Sequence, residues 1–197
     1  MQVHTRHGPA FGVVRLLLSP GEAVRVDNGS MMASSYGVAV ETSGKRANGS
    51  AVLTAPNTGG WVDVASHVPG DVYPIELDGN TGWCLARDSV LALTKGVRFD
   101  PQWQGFHSLF GAEAGFLEHW SGRGSMVLAC SGAADLLSLE QGELITVSPG
   151  YLLAYPDGVQ CRLRAIDQSA PQSLRTGEGL AVDFAGPAQV LLRTRAP

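Results

Sequence analysis

The feature of the sequence that most limits the fold is an internal repeat. A shift of 59 residues, followed by a further shift of 62, aligns six columns that are apolar or glycine in all three copies. Repeats of such length are typical of chains that build one structural unit several times. The six columns are Leu18, Leu77 and Leu139; Val24, Trp83 and Ile145; Val26, Leu85 and Val147; Ala33, Ala92 and Ala154; Gly37, Gly96 and Gly158; and Val38, Val97 and Val159. We therefore predict three copies of one unit, at about 10–65, 66–128 and 129–195.

Within each copy the pattern is that of short β-strands. Val24 and Val26 alternate with Arg25, which is the period of a half-buried strand. Turn formers separate such runs, for example at Ser19-Pro20-Gly21 and at Pro156-Asp157-Gly158. Helix signals are weak. These patterns predict an all-β fold of the sandwich or barrel type.

Repeated glycines make a more local prediction. They indicate positions with positive φ or with too little room for a Cβ atom. We expect two columns to occupy equivalent places in the repeat core: Gly37, Gly96 and Gly158, and Val38, Val97 and Val159. The run Gly122-Arg123-Gly124-Ser125 predicts a hairpin turn.

The size of the repeat predicts how the units associate. A unit of about 60 residues is marginal on its own, so we expect the three units to share one core as a single pseudo-threefold body over residues 1–197. Unpaired β edges at its surface attract further strands, which predicts a symmetric homo-oligomer.

Composition limits the classes of function. The 197 residues carry 14 Lys and Arg against 18 Asp and Glu, a net charge of -4, and so give no strong nucleic-acid signal. Three cysteines without CxxC spacing favour a reducing compartment. No signal peptide and no run of the roughly 18 apolar residues of a membrane span is present. We expect a cytoplasmic protein without a transmembrane segment.

The five histidines are the natural candidates for metal ligands. Only His4 and His7 are closely spaced, and they lie at the N-terminus. The others, His67, His107 and His119, stand alone. Glu118 is next to His119, but neighbouring residues of a strand point to opposite faces. We predict no metal site and no cofactor.

The sequence indicates no catalytic nucleophile. Cys84 has Arg87 and Asp88 nearby, and an arginine close to a thiol lowers the thiol pKa. Yet Arg25 and Thr146 occupy the matching column of the other repeats, which predicts an exposed side chain and does not imply reactivity. No GxSxG, P-loop or dinucleotide-binding turn is present. We expect no catalytic residue and no enzymatic activity.

The densest aromatic cluster lies between Phe99 and Phe116. This segment either caps the core of its own unit or anchors an oligomer or partner contact, since Trp and Phe are enriched at interface centres. The contact residues under the second interpretation are Trp103, Phe106, Leu109 and Phe110.

Arginine outnumbers lysine, and several arginines fall near the repeat ends. They predict either a local anion-binding patch or charges on solvated strand faces, and we favour the latter. These arginines are Arg162, Arg164, Arg175, Arg193 and Arg195.

Four motifs resemble successive motifs of one known family. They are Leu18–Glu22, Val68–Leu77, Trp103–Gly105 and Gly177–Leu180. The family is the altered-inheritance-of-mitochondria family of mitochondrial biogenesis proteins, and the resemblance runs from about residue 10 to 195. It implies a double-stranded β-helix-like fold whose three units each resemble the subunit of the tryptophan RNA-binding attenuation protein. It also implies chains that assemble as trimers, and it implies no catalytic residues. The polar stretch Ser43–Ser50 departs from the glycine-rich stretch of relatives.

We interpret the chain as a non-enzymatic oligomeric β scaffold that presents a repeated surface to protein or membrane-associated partners. One alternative is a small-molecule or metal-binding cupin-like barrel, and another is a nucleic-acid-binding ring. The cupin-like alternative requires that His67, His107 or His119 meet Asp63, Glu113 or Glu118 in one cavity.

Overall fold

The structure is a computed structural model that describes residues 1–43, 49–103, 116–166 and 179–196. In this part of the chain the regular structure is β-strand, with one 3-10 turn at Pro149–Tyr151 and no α-helix. The predicted all-β class is confirmed. No helix of the described residues has the length and apolar character needed to span a bilayer.

Eighteen strands are formed by the described residues, and most connections are short turns. The turns predicted at Ser19-Pro20-Gly21 and at Pro156-Asp157-Gly158 are confirmed, the first between β2 and β3 and the second between β15 and β16. In chain order the strands are β1 (Gln2–Arg6), β2 (Val13–Leu18), β3 (Ala23–Asp27), β4 (Met31–Ser34), β5 (Ala39–Ser43), β6 (Ser50–Thr54), β7 (Gly60–Ala65), β8 (Gly70–Asp78), β9 (Trp83–Ala86), β10 (Val90–Thr94), β11 (Val97–Phe99), β12 (Leu117–Ser131), β13 (Ala134–Leu139), β14 (Leu144–Val147), β15 (Leu152–Pro156), β16 (Cys161–Ala165), β17 (Leu180–Ala185) and β18 (Ala188–Arg193).

One pairing scheme occurs in three consecutive groups of strands. In the first group, β2 to β7, the first and third strands pair with the last strand, and the second and fourth pair with the fifth. The third group, β13 to β18, has the same four pairs. In the second group, β8 to β12, the long strand β12 pairs with β8 and β10 through its second half and with β9 and β11 through its first half. The pairing follows the sequence repeat, whereas a threefold axis relating the groups stays a prediction.

An irregularity of pairing also recurs in each group. The register shifts between Met31 and Ala33, between Val90 and Ala92, and between Leu152 and Ala154. These positions are related by the same shifts of 59 and 62 residues that align the sequence. A β-bulge is a built feature of a strand, so the repeated alanine column marks a shared backbone geometry.

Two junctions join neighbouring groups edge to edge. β3 pairs with β10, and β9 pairs with β15, so that the second strand of one group meets the third strand of the next. These pairs create an eleven-stranded sheet. The remaining strands form a four-stranded sheet in the order β1-β2-β7-β4 and a three-stranded sheet in the order β14-β17-β16. β4 and β14 are therefore edge strands.

The hydrophobic core is divided among three clusters, one built mainly from each group. Leu16 is central to the first, Leu128 to the second and Phe184 to the third. Each cluster also takes side chains from a neighbouring group, such as Leu153 in the second and Cys84 in the third. The core is thus divided rather than single, because the strands of each group already bury apolar faces against one another, and a pseudo-threefold body over residues 1–197 stays a prediction.

The two repeated columns that were assigned to the core differ in burial. The valines lie at the cores, since Val97 is buried and the half-buried Val38 and Val159 pack against the first and third clusters. The glycines lie instead in exposed turns, which corrects their placement in the core: Gly37, Gly96 and Gly158.

Glycine is required by geometry at two of these three turns. Gly37 has a φ of +88°, and a Cβ at Gly96 would lie 2.1 Å from the carbonyl oxygen of Arg123. Gly158 meets neither condition, so the prediction is wrong there. The run Gly122–Ser125 is also not a hairpin turn but part of β12. Its first glycine has a φ of +115°, a conformation open to glycine that carries the strand onward.

Candidate functional site

Three side chains form a row across the junction between the second and third groups. His119 of β12 is paired with Cys84 of β9, and Cys84 is paired with Tyr155 of β15. Directly paired residues of neighbouring strands point to the same face, so the three side chains are neighbours. Cys84 and Tyr155 are buried, whereas the His119 side chain is 12% exposed and lies where the row reaches the surface.

His119 is held between two aspartates. Its Nε2 lies 3.0 Å from Oδ2 of Asp157, and its Nδ1 lies 3.8 Å from Oδ2 of Asp100. The same Asp157 oxygen accepts the backbone N–H of Gly82 at 3.1 Å. A Cβ at residue 82 would lie 2.4 Å from Nε2 of His119, so a larger residue there would displace the imidazole. The Asp157 carboxylate therefore ties a turn of the third group both to the Gly82 turn and to β12 of the second group.

Trp103, one of the predicted contact residues, packs within its own chain. Its ring stacks on the His119 imidazole with a centroid distance of 5.6 Å and an interplanar angle of 24°. It also packs against the third core cluster. The other predicted contact residues, Phe106, Leu109 and Phe110, lie outside the described residues. A role of this segment in oligomer or partner contact stays a prediction.

The thiols at this junction are protonated groups in apolar surroundings. Burial raises the pKa of Cys84 to about 12, and burial also raises the pKa values of Tyr155 and Cys161. Sγ of Cys161 lies 3.7 Å from Oη of Tyr155. The prediction that Cys84 is exposed is wrong, because Tyr155 and the third core cluster cover it, while Arg25 and Thr146 of the matching column are exposed.

The groups that a cupin-like metal site would require are not brought together among the described residues. Nε2 of His67 lies 3.0 Å from the carbonyl oxygen of Asn28 in the first group, whereas His119 lies at the junction of the other two. Within the described ranges, no three His, Cys, Asp or Glu side chains are grouped so that they could hold a metal ion. His107 and Glu113 lie outside those ranges.

Glu118 and His119 point to opposite faces of β12, as strand alternation predicts. Glu118 accepts a hydrogen bond from Nε1 of Trp120 at 3.3 Å, on the face away from Asp157. Burial raises the pKa of Glu118. The neighbouring acid and imidazole therefore do not form one site.

A buried ion cluster in the first group is a feature that the sequence analysis missed. Asp63 of β7 is only 2% exposed, and Arg15 of β2 donates two hydrogen bonds of 2.8 Å to its carboxylate. Arg6 of β1 forms a further ion pair with it, and the Arg15 guanidinium lies 4.0 Å above the ring of Trp61. The hydrogen bonds from Arg15 hold the pKa of Asp63 below its usual range. The cluster ties β1 to the sheet.

The arginines near the repeat ends make separate contacts. Nε of Arg164 donates to Asp183 at 2.7 Å, and the same carboxylate accepts the Thr146 hydroxyl at 2.7 Å. Nε of Arg193 donates to the carbonyl oxygen of Gly150 at 2.9 Å. The remaining three are Arg162 and Arg195, which are exposed, and Arg175, which lies outside the described residues.

Comparisons with known proteins agree with this architecture. The family model described as mitochondrial biogenesis AIM24 matches residues 3–195. The crystal structure of protein SPYM3_0169 from Streptococcus pyogenes is similar, with a TM-score of 0.76 and 19% sequence identity, over 99% of this chain and 94% of that chain. At this identity the likeness shows a shared fold alone. No match was found among curated proteins. The likeness of each unit to the tryptophan RNA-binding attenuation protein stays a prediction.

Proposed function

Because the chain belongs to the mitochondrial biogenesis AIM24 family, we propose that it is a non-enzymatic β scaffold that assembles with copies of itself. Its role is to present a repeated surface to protein partners, including partners held at a membrane. Trimeric assembly and a cytoplasmic location are parts of this proposal.

The observation that carries the proposal is the threefold recurrence of one strand-pairing scheme in a single chain. Groups joined edge to edge hold their surfaces at fixed relative positions. Such an array offers similar contact sites at set intervals. A partner with several binding modules that has bound one site therefore meets the next site at a raised effective concentration.

A candidate contact surface lies around β11 and the start of β12. Phe99 is 46% exposed and packs on Trp120 with a ring centroid distance of 5.5 Å. Trp103 is half-buried nearby in the chain, stacked on His119. Aromatic rings that are already held in place bind partners at a small cost in conformational entropy.

The test is affinity capture from native extract with two forms of the immobilised chain. Phe99→Ala removes an exposed ring and leaves the strand pairing intact, while Ile166→Ala is a matched control at an exposed apolar position elsewhere. We expect a protein that the wild type and Ile166→Ala retain and that Phe99→Ala loses at least tenfold. The same proteins bound to all three forms, or none above empty resin, would contradict a partner surface here.

A further inference from the structure

The two junctions within the chain use one register. β3 meets β10 with Ala92 opposite Val26, and β9 meets β15 with Ala154 opposite Leu85. Ala92 and Ala154 belong to one repeat column, and Val26 and Leu85 belong to another. All four side chains are buried, so each junction is part of the core.

Among the described residues, the third pair of these columns is not joined by strand pairing. Its members are Ala33 on β4 and Val147 on β14, and each strand is the edge of a separate sheet. Each existing junction joins three strands of one group to three of the next, as in β13-β18-β15-β9-β12-β11. The strands β2-β7-β4 and β14-β17-β16 are the two halves of a third sheet of this kind.

We propose that β14 of one copy of this chain pairs antiparallel with β4 of a second copy, with Ala33 opposite Val147 and Tyr36 beside Leu144. This inference rests on the proposed oligomeric scaffold and names the surface through which its copies assemble. Because β4 and β14 are different surfaces, the contact is head-to-tail. Head-to-tail contacts close into a ring when the rotation from one copy to the next divides a full turn, and three copies would then give the trimer of the proposed function.

Side-chain exposure supports this register. Tyr36 and Leu144 are the two most exposed large apolar side chains of the described residues, at 103% and 76%. At the junction of β9 with β15, the residues that correspond to Tyr36 and Leu144 are Asp157 and Gly82. These two are in contact, since the Asp157 N–H donates to the Gly82 carbonyl at 2.9 Å. The proposed pairing thus covers the two apolar side chains that are most exposed to water in the chain alone.

Among the residues that the structure describes, no strand pairs with the outer side of β4 or of β14. Ser35 donates its N–H to β7 at 2.9 Å, and the carbonyl of Glu143 accepts the Gly186 N–H at 2.9 Å. Backbone groups alternate between the two sides of a strand, so the N–H groups of Tyr36 and Thr146 point to the free side. Neither β4 nor β14 carries a charge or a proline, which are the devices that keep edge strands apart.

Proline can block each edge while leaving the sheet behind it paired, because the N–H that is lost faces the free side. Tyr36 precedes Gly37 in a turn, a position that accepts proline. By light scattering at micromolar concentration, we expect the wild type to have a multiple of 20.7 kDa. Tyr36→Pro and Thr146→Pro should each have the mass of one chain. Their equimolar mixture retains one intact β4 and one intact β14, and should give two chains and nothing larger.

A charge exchange tests the same contact without proline. Leu144→Lys and Tyr36→Glu should each weaken assembly, and the double variant should regain the wild-type mass because opposite charges then face each other across the junction. Ile166→Lys is the control, since Ile166 is 61% exposed and lies on neither edge. It should keep the wild-type mass.

The outcomes separate this inference from the proposed function. Blocked variants that fold, as judged by β circular dichroism, and keep the wild-type mass would overturn the edge pairing and leave an oligomeric scaffold standing. A wild type of 20.7 kDa would overturn both the edge pairing and self-assembly. Restored mass in the double variant and two-chain mass in the mixture both support the proposed register.

Discussion

Replacing Asp63 by asparagine is expected to lower the free energy of unfolding by about 3 kcal/mol at neutral pH. Loss of one partner from a buried ion pair costs about 3–5 kcal/mol. The lower end applies because the side chains of Arg6 and Arg15 are 36% and 35% exposed, so the freed guanidinium groups recover water. In a chain of this size, about 3 kcal/mol corresponds to a fall in Tm of roughly 6–12 °C.

The effect should depend on pH in a defined direction. The pKa of Asp63 is lower in the folded state than in the unfolded state, so its stabilising contribution is fully present above the unfolded-state pKa of about 4. That contribution is lost as the pH falls through the folded-state pKa. Urea unfolding followed by circular dichroism at a series of pH values should therefore show wild type and Asp63→Asn converging in acid.

A matched control is available at the surface of the third group. Asp183 also pairs with an arginine, Arg164, but both side chains are about one-third exposed or more. Water replaces the partner there, so Asp183→Asn should destabilise the chain far less. Equal losses for Asp63→Asn and Asp183→Asn, or a difference from wild type that does not change with pH, would contradict the role given to burial.

Three further expectations concern other parts of the chain. Gly96→Ala should lower the free energy of unfolding in urea by roughly 1–3 kcal/mol, because its Cβ would meet a backbone carbonyl at 2.1 Å. Gly158→Ala should leave the stability unchanged, since a Cβ there would have nothing within 4 Å. Equal effects of the two substitutions would contradict this expectation. With a pKa of about 12, the Cys84 thiol should stay unreactive to Ellman's reagent at pH 8 until the chain unfolds, and rapid labelling of the native protein would argue against its burial. Trp103→Ala with Phe110→Ala should reduce the oligomer mass and spare the β circular dichroism signal if this segment forms an oligomer contact; an unchanged mass would count against that contact.

The all-β class and the recurrence of strands could be predicted because they depend on local patterns. Alternation at Val24 and Val26 and the turn formers after β2 need no knowledge of distant residues. The columns of Ala33 and Val147 also signalled a shared position. Their role in strand pairing could be inferred only from the structure, which places the corresponding residues of the other repeats opposite each other across the junctions.

Features that depend on distant contacts were missed. Arg15 interrupts an apolar strand in the sequence, and its partner Asp63 lies 48 residues away. The burial of Cys84 depends on which strand covers it, and the polar residues of its column gave the wrong indication. The glycines of Gly122–Ser125 allow either a turn or a continuous strand, and pairing with β8 and β11 selects the strand.

The length of β12 has a consequence for how the chain comes apart. Because this strand supplies neighbours to β8, β9, β10 and β11 at once, no part of the second group can open without disturbing the rest of it. Its partners β9 and β10 in turn flank strands of the outer groups. Melting should then spread through all three groups together, because loss of pairing in the second group exposes the edges of β3 and β15 in its neighbours.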